Sequence, residues 1–158
     1  MKVVGLDLAG KPENQTGFCV LTEEGTETKI LHSDEEIMRE IENIKPELIA
    51  IDAPFWVPQT GMFRLSEEKL LKRGFNPIST RIPTMEILAI RASKLVKVLR
   101  GKNFKVIEVF AGASERILGL SKEPRKNDDE YEALLCALTG KYYLEGKYED
   151  VDGIIIPK

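Results

Sequence analysis

Histidine is nearly absent from this 158-residue chain, at a single position, and cysteine appears only twice. With only His32, which ends an extended segment and reads as a surface residue, no histidine-based general acid or base is expected. Cys19 and Cys136 sit in apolar surroundings without metal-ligand spacing, so they read as buried thiols of a cytoplasmic protein rather than as a disulfide or a zinc site. Long apolar runs are missing too. Val3–Leu8 and Ile154–Ile156 fall far short of the roughly 20 residues a membrane helix needs. Asp7 breaks the first run too early for a signal peptide, so no membrane partner is expected. Repeats, low-complexity tracts and linkers are also lacking, which leaves one domain over residues 1–158 as the working expectation. Present instead are 42% apolar and 31% charged residues, the composition of a globular chain with a proper core.

The net charge of −3 hides an asymmetry. Between Arg64 and Lys105 eleven Lys or Arg face three acids, while the rest of the chain holds twelve basic residues against twenty-three acids. A basic surface joined to an acidic one suits a polyanion beside a cation site, and suits equally a solvated helix pair.

Met1–Leu8, Thr16–Thr22 and Thr26–Leu31 read as a three-stranded antiparallel meander, with Glu24-Gly25 as a turn. Ser33 caps a helix whose first turn is acidic and which Lys45-Pro46 ends. Leu48–Asp52 is a short buried strand, and Ser66–Arg73 a short helix. Pro83 opens a long helix to about Arg100, with Met85, Leu88, Ala92, Leu95, Val96 and Leu99 as its core stripe. Phe104–Phe110 is a fifth strand and Ala113–Leu118 a short helix. A last helix runs from about Asp128 to Glu145, and Ile154–Ile156 adds an edge strand. The order gives an α/β fold of the ribonuclease H-like class: a mixed five-stranded sheet, three antiparallel strands then two parallel, flanked by helices.

Three strands share one anomaly. Asp7, Asp52 and Glu108 each break a hydrophobic run near its end. A carboxylate there needs a partner or a cation, because burying it unpaired costs several kcal/mol. On the last helix Asp129, Glu132, Ala133, Cys136, Ala137 and Gly140 lie three or four apart and share a face. The small residues let that helix press against the sheet and carry Asp129 and Glu132 toward Asp7 and Asp52. Helix capping explains Asp128 but not Glu132 on that face. Convergent carboxylates without nitrogen or sulfur donors select Mg²⁺ or Mn²⁺. Two such ions, about 4 Å apart, can activate water and stabilise the leaving oxygen of a phosphodiester.

Gly5-Leu6-Asp7-Leu8-Ala9-Gly10 with Thr16-Gly17-Phe18, then Ile51-Asp52-Ala53-Pro54-Phe55, resembles a family of predicted nucleases with a ribonuclease H-like fold. Ile107-Glu108-Val109-Phe110, the stretch from Asp128 to Thr139 and the closing Gly153-Ile154-Ile155-Ile156-Pro157 resemble its later motifs. The spacing is also similar to that of RuvC-type Holliday-junction resolvases. That resemblance implies Asp7, Asp52, Asp129 and Glu132 as catalytic metal ligands, and a homodimer; Glu108, which closes its own hydrophobic run, reads as a further metal ligand. Two positions depart from the patterns: Glu132 stands where Asp is usual, and Ala111 where the nuclease family tends to have proline.

Phe55, Trp56 and Phe63 follow Asp52 in a Pro- and Gly-containing segment. They read chiefly as a lid, and Trp56 is placed to stack on a base. Arg64, Arg73 and Arg81 are suited to gripping phosphates, or to pairing with the acidic remainder. The expectation is a divalent-metal-dependent nuclease acting on DNA or RNA. Two alternatives stay open. One is an actin- or sugar-kinase-like phosphotransferase, which Asp7-Leu8-Ala9-Gly10 favours and the lack of a second glycine-rich loop disfavours. The other is a non-catalytic nucleic-acid- or protein-binding module of the same fold.

Overall fold

The structure, a computed structural model, describes residues 1–120 and 127–158. Among these residues seven strands form one sheet: β1 (Lys2–Asp7), β2 (Thr16–Thr22), β3 (Gly25–Leu31), β4 (Leu48–Asp52), β5 (Val106–Val109), β6 (Tyr148–Val151) and β7 (Ile154–Pro157). Their order is β3-β2-β1-β4-β5-β7-β6. β1, β4, β5 and β7 run parallel, and β2, β3 and β6 are antiparallel to their neighbours. The five-stranded expectation is therefore corrected to seven.

The two added strands have a plain origin. Val151-Asp152-Gly153-Ile154 is a two-residue hairpin: Asp152 and Gly153 both take positive φ, and the Gly153 N–H donates to Asp150 Oδ1 at 2.7 Å. Asp-Gly between strands is a strong hairpin signal. It places β7 inside the sheet and makes the polar β6 the edge.

Among the described residues five helices cover the sheet: α1 (Asp34–Ile44), α2 (Leu65–Lys72), α3 (Pro83–Gly101), α4 (Ala111–Ile117) and α5 (Asp128–Leu144). Ser33 and Glu36 form the capping box that starts α1, and Lys45 in the left-handed region ends it. On one face of the sheet Ile37 and Ile41 of α1 and Ala92, Leu95 and Leu99 of α3 bury Val4, Leu6, Ile49 and Ile51. On the other face α5 lies across β1, β2 and β4, where Ala133 and Ala137 meet Val3, Cys19 and Leu21 and where Leu135 and Cys136 meet Leu48 and Ala50. The expected core stripe of α3 is present from Ala92 onward, whereas Met85 is only half-buried.

Both cysteines are buried and free. His32 is exposed. No helix among the described residues is long and apolar enough to cross a membrane.

Candidate active site

The parallel register sets Asp7 beside Asp52, as neighbours at the carboxyl ends of β1 and β4. Ligand sites of open α/β sheets gather at that edge. Side chains alternate between faces along a strand, so the two acids, being in register, point to the same side. It is the side covered by α5.

How near α5 comes is set by glycine. A Cβ on Gly5 would stand 2.2 Å from the Ala133 carbonyl oxygen and 2.5 Å from the Ala137 nitrogen, contacts no side chain tolerates. The small-residue face of α5 rests directly on the backbone of β1. Its N-terminus is then fixed by side chains: Asn127 Oδ1 accepts the N–H groups of Asp129 and Glu130 at 2.8 and 3.1 Å, and Thr28 Oγ1 donates to Glu130 Oε1 at 2.9 Å.

Through this packing, carboxylate oxygens of Asp7, Asp129 and Glu132 come within 4.8 Å of one another. Asp52 stands next to them. Burial raises the Asp7 carboxyl to about 11, reinforced by the charge of Asp52 and by hydrogen bonds with Glu132 and Asp129. Burial and the charge of Glu132 raise Asp52 to about 7, against the N–H of Ala111, which favours its ionised form. Burial and the neighbouring carboxylates thus favour the protonated form of Asp7 at neutral pH and leave Asp52 titrating near it. The donor set is carboxylate oxygen throughout, which fits a hard divalent cation.

Cys136 lies beneath the acids, its Sγ 3.5 Å from the Leu6 carbonyl oxygen. Burial and the charges of Asp52, Asp7 and Glu132 push its thiol well above the ordinary range, so it is a packing group.

Glu108 stands apart from this cluster. It is in register with Ile51, one residue before the Asp7–Asp52 row, and so points to the opposite face. There Arg64 Nη1 and Nη2 donate to its two oxygens at 2.9 and 2.6 Å, and the Phe55 N–H donates to Oε1 at 3.1 Å. Arg64 also binds Glu67 through Nη2 at 3.3 Å and through its backbone N–H at 2.9 Å. Burial raises the Glu108 carboxyl even against the pull of Arg64. The expected metal ligand is thus half of a buried ion pair, and the expected phosphate ligand Arg64 is the other half.

Arg73 and Arg81 are also engaged. Arg73 is paired in parallel fashion with Glu149 of β6. Arg81 holds the preceding loop, donating from Nε to the Gly61 oxygen at 3.0 Å and from Nη2 to the Pro58 oxygen at 2.7 Å. Trp56, by contrast, is 53% exposed. It borders an open cleft with Phe55, Lys97 and Arg100, and the Arg64 guanidinium lies 5.3 Å from its ring centre. The charge count that singled out Arg64, Arg73 and Arg81 carried no information on these internal partners, and the helical positions of Lys97 and Arg100 pass in sequence for solvated surface.

No protein-family model matches the chain, and no curated protein matches it by sequence. Solved structures do match. Thermus thermophilus RuvC in complex with a Holliday junction substrate superposes with a TM-score of 0.53 at 16% identity, over 92% of this chain and 96% of that one. The fold is RuvC-like. A second structure of Thermus thermophilus RuvC superposes with a TM-score of 0.51 at the same identity, over 92% of this chain and 97% of that one. The likeness runs through almost the full length of both chains, with the acidic cluster at the carboxyl edge of the shared sheet.

Proposed function

We propose that the chain is a divalent-metal-dependent nuclease that hydrolyses phosphodiester bonds of DNA or RNA. The observation that carries this reading is the convergence of Asp7, Asp129 and Glu132, with Asp52 alongside, at the carboxyl edge of a RuvC-like sheet. Asp7, Asp52, Asp129 and Glu132 would hold Mg²⁺ or Mn²⁺. When bound, the cation supplies Lewis acidity and a water activated for attack on phosphorus.

The chain's own residues do the rest. Asp7 and Asp52 are held rigidly by the sheet, and Asp129 and Glu132 by the packing of α5, so a cation would meet preorganised ligands. Glu132 in place of Asp gives one ligand a longer reach. The acids alone repel a polyanion, and the cleft of exposed Trp56 with Lys97 and Arg100 offers a surface of suitable chemistry: an aromatic face for a base and cations for phosphate. The RuvC neighbour is bound to a Holliday junction, which supports nucleic acid as the ligand class and leaves its type to experiment.

The test is a panel of single-stranded, duplex and branched DNA and RNA incubated with the protein and Mn²⁺, beside Asp7→Asn. Cleavage that requires both the ion and Asp7 is expected. Cleavage by neither protein on any substrate, with the ion bound, would leave a binding module of the same fold.

A further inference from the structure

Large apolar side chains left exposed are concentrated in one stretch of the chain. Among the described residues there are eleven, and nine of them fall between Trp56 and Val98. A monomeric protein seldom leaves such side chains together without a partner to cover them. Four belong to α3 and its N-cap: Ile82, Ile87, Ile90 and Val98, each 40–48% exposed.

The pattern on α3 says what the partner must look like. Ile82, Glu86, Ile90, Lys94 and Val98 stand four residues apart and form one ridge along the outer side of the helix. All five are exposed. Counted outward from Ile90, the ridge carries a charge at four residues on each side and an apolar residue at eight, and the two charges are opposite. Glu86 and Lys94 cannot neutralise each other within one helix, because eight residues separate them by about 12 Å along the axis. Neither has an ion pair or hydrogen bond among the described residues. A polyanion would meet isoleucines and an acid on this ridge, so the ridge does not extend the basic cleft at Trp56. Its complement is the same ridge read in the opposite direction.

We propose that this ridge is the pairing surface between two copies of the chain, which pack α3 against α3 in antiparallel sense across a twofold axis at Ile90. Helices whose ridges of this spacing interdigitate cross at about 50°, and that crossing lays the two ridges side by side. Ile90 then meets Ile90 of the second copy, Glu86 meets Lys94, and Ile82 meets Val98, with each unlike contact made twice. Parallel pairing would set Glu86 against Glu86 and Lys94 against Lys94. The Trp56 cleft uses Val96 and Arg100 on the flank of α3, so pairing leaves it open in both copies. One helix pair covers less than the roughly 800 Å² per partner of a standard stable interface, so the dimer is reversible. The pairing depends on neither the cation nor the nuclease activity.

The experiment is sedimentation equilibrium of the full chain at low salt, from micromolar to near-millimolar concentration. A monomer–dimer equilibrium is expected. Glu86→Lys and Lys94→Glu each set like charges together and should weaken the dimer about tenfold, since symmetry makes every such pair count twice. The two variants mixed should form a heterodimer of wild-type strength, and the double variant should pair with itself equally well. Ile90→Cys should cross-link to its own copy under mild oxidation, which the buried Cys19 and Cys136 do not. Every substituted position is exposed, so the fold is retained, and circular dichroism checks this. A wild type that stays monomeric over the whole range overturns the proposal. So does a dimer that both single charge variants leave unchanged, and so does a loss of pairing that mixing the two variants does not restore.

Discussion

The Asp129 carbonyl oxygen occupies the place a side chain at Gly17 would need: a Cβ there would stand 1.9 Å from it. Gly17 is also the cross-strand partner of Asp7. One glycine therefore sets both how close the start of α5 comes to the sheet and where Asp129 stands relative to Asp7. Gly17→Ala should force the two apart, at about 1–3 kcal/mol of stability in urea unfolding. It should also weaken Mn²⁺ binding, read by calorimetry. Unchanged Mn²⁺ affinity in a folded Gly17→Ala protein would show that the approach of α5 does not build the site.

Burial and neighbouring carboxylates raise the carboxyls of Asp7 and Asp52, and this fixes the sign of the metal-free protein's pH dependence. Asp52 is raised to about 7 and Asp7 to about 11, from ordinary carboxylate values near 4. Between the ordinary and raised values the folded state holds more protons than the unfolded chain. Stability from these two groups is thus complete below about pH 4 and declines as pH rises through 7 and beyond. The metal-free melting temperature should fall between pH 5.5 and 8, and Mn²⁺ should restore it at the upper end. A metal-free protein that gains stability across that interval would contradict the mutual repulsion of the acids.

Asp7→Asn removes one charge from the cluster and keeps a polar group of similar size. The metal-free variant should be at least as stable as the wild type, because desolvation and repulsion both act against an ionised Asp7. Its stabilisation by Mn²⁺ should disappear. Paired thermal melts with and without Mn²⁺ check both outcomes. Unfolding of metal-free Asp7→Asn would instead make Asp7 a structural hydrogen-bonding residue.

The Arg64–Glu108 pair should behave in the opposite way. Both residues are buried, and removing one leaves the other's charge uncompensated. Arg64→Ala should destabilise by about 3–5 kcal/mol. Mn²⁺ binding per folded molecule should persist. Chemical denaturation of Arg64→Ala and Glu108→Gln, followed by metal titration of the folded fraction, separates this scaffold role from direct ligation. Loss of Mn²⁺ binding in a folded Glu108→Gln protein would return Glu108 to the ligand set.

The acids at strand ends were legible in the sequence because a carboxylate closing a hydrophobic run is costly enough to be rare. The spacing of Asp129 and Glu132 with Ala133, Ala137 and Gly140 was legible because helical periodicity is local. The side of the sheet that Glu108 faces was not. It depends on pairing with Ile51 rather than Asp52, a register that only the folded sheet defines. β6 was missed because Tyr148-Glu149-Asp150-Val151 reads as polar loop, although the Asp152-Gly153 turn beside it carried the signal. The arginines were found by charge count, whereas Glu149 lies 76 residues from Arg73 and Glu108 lies 44 from Arg64. Such distant partners leave no local pattern.

The most direct measurement is anomalous diffraction from crystals of the protein soaked in Mn²⁺. Expected is a manganese peak bounded by the carboxylates of Asp7, Asp129 and Glu132, with Asp52 at its edge and none between Arg64 and Glu108. A soaked crystal with these four side chains ordered and no manganese among them would contradict the cation site on which the proposed activity rests.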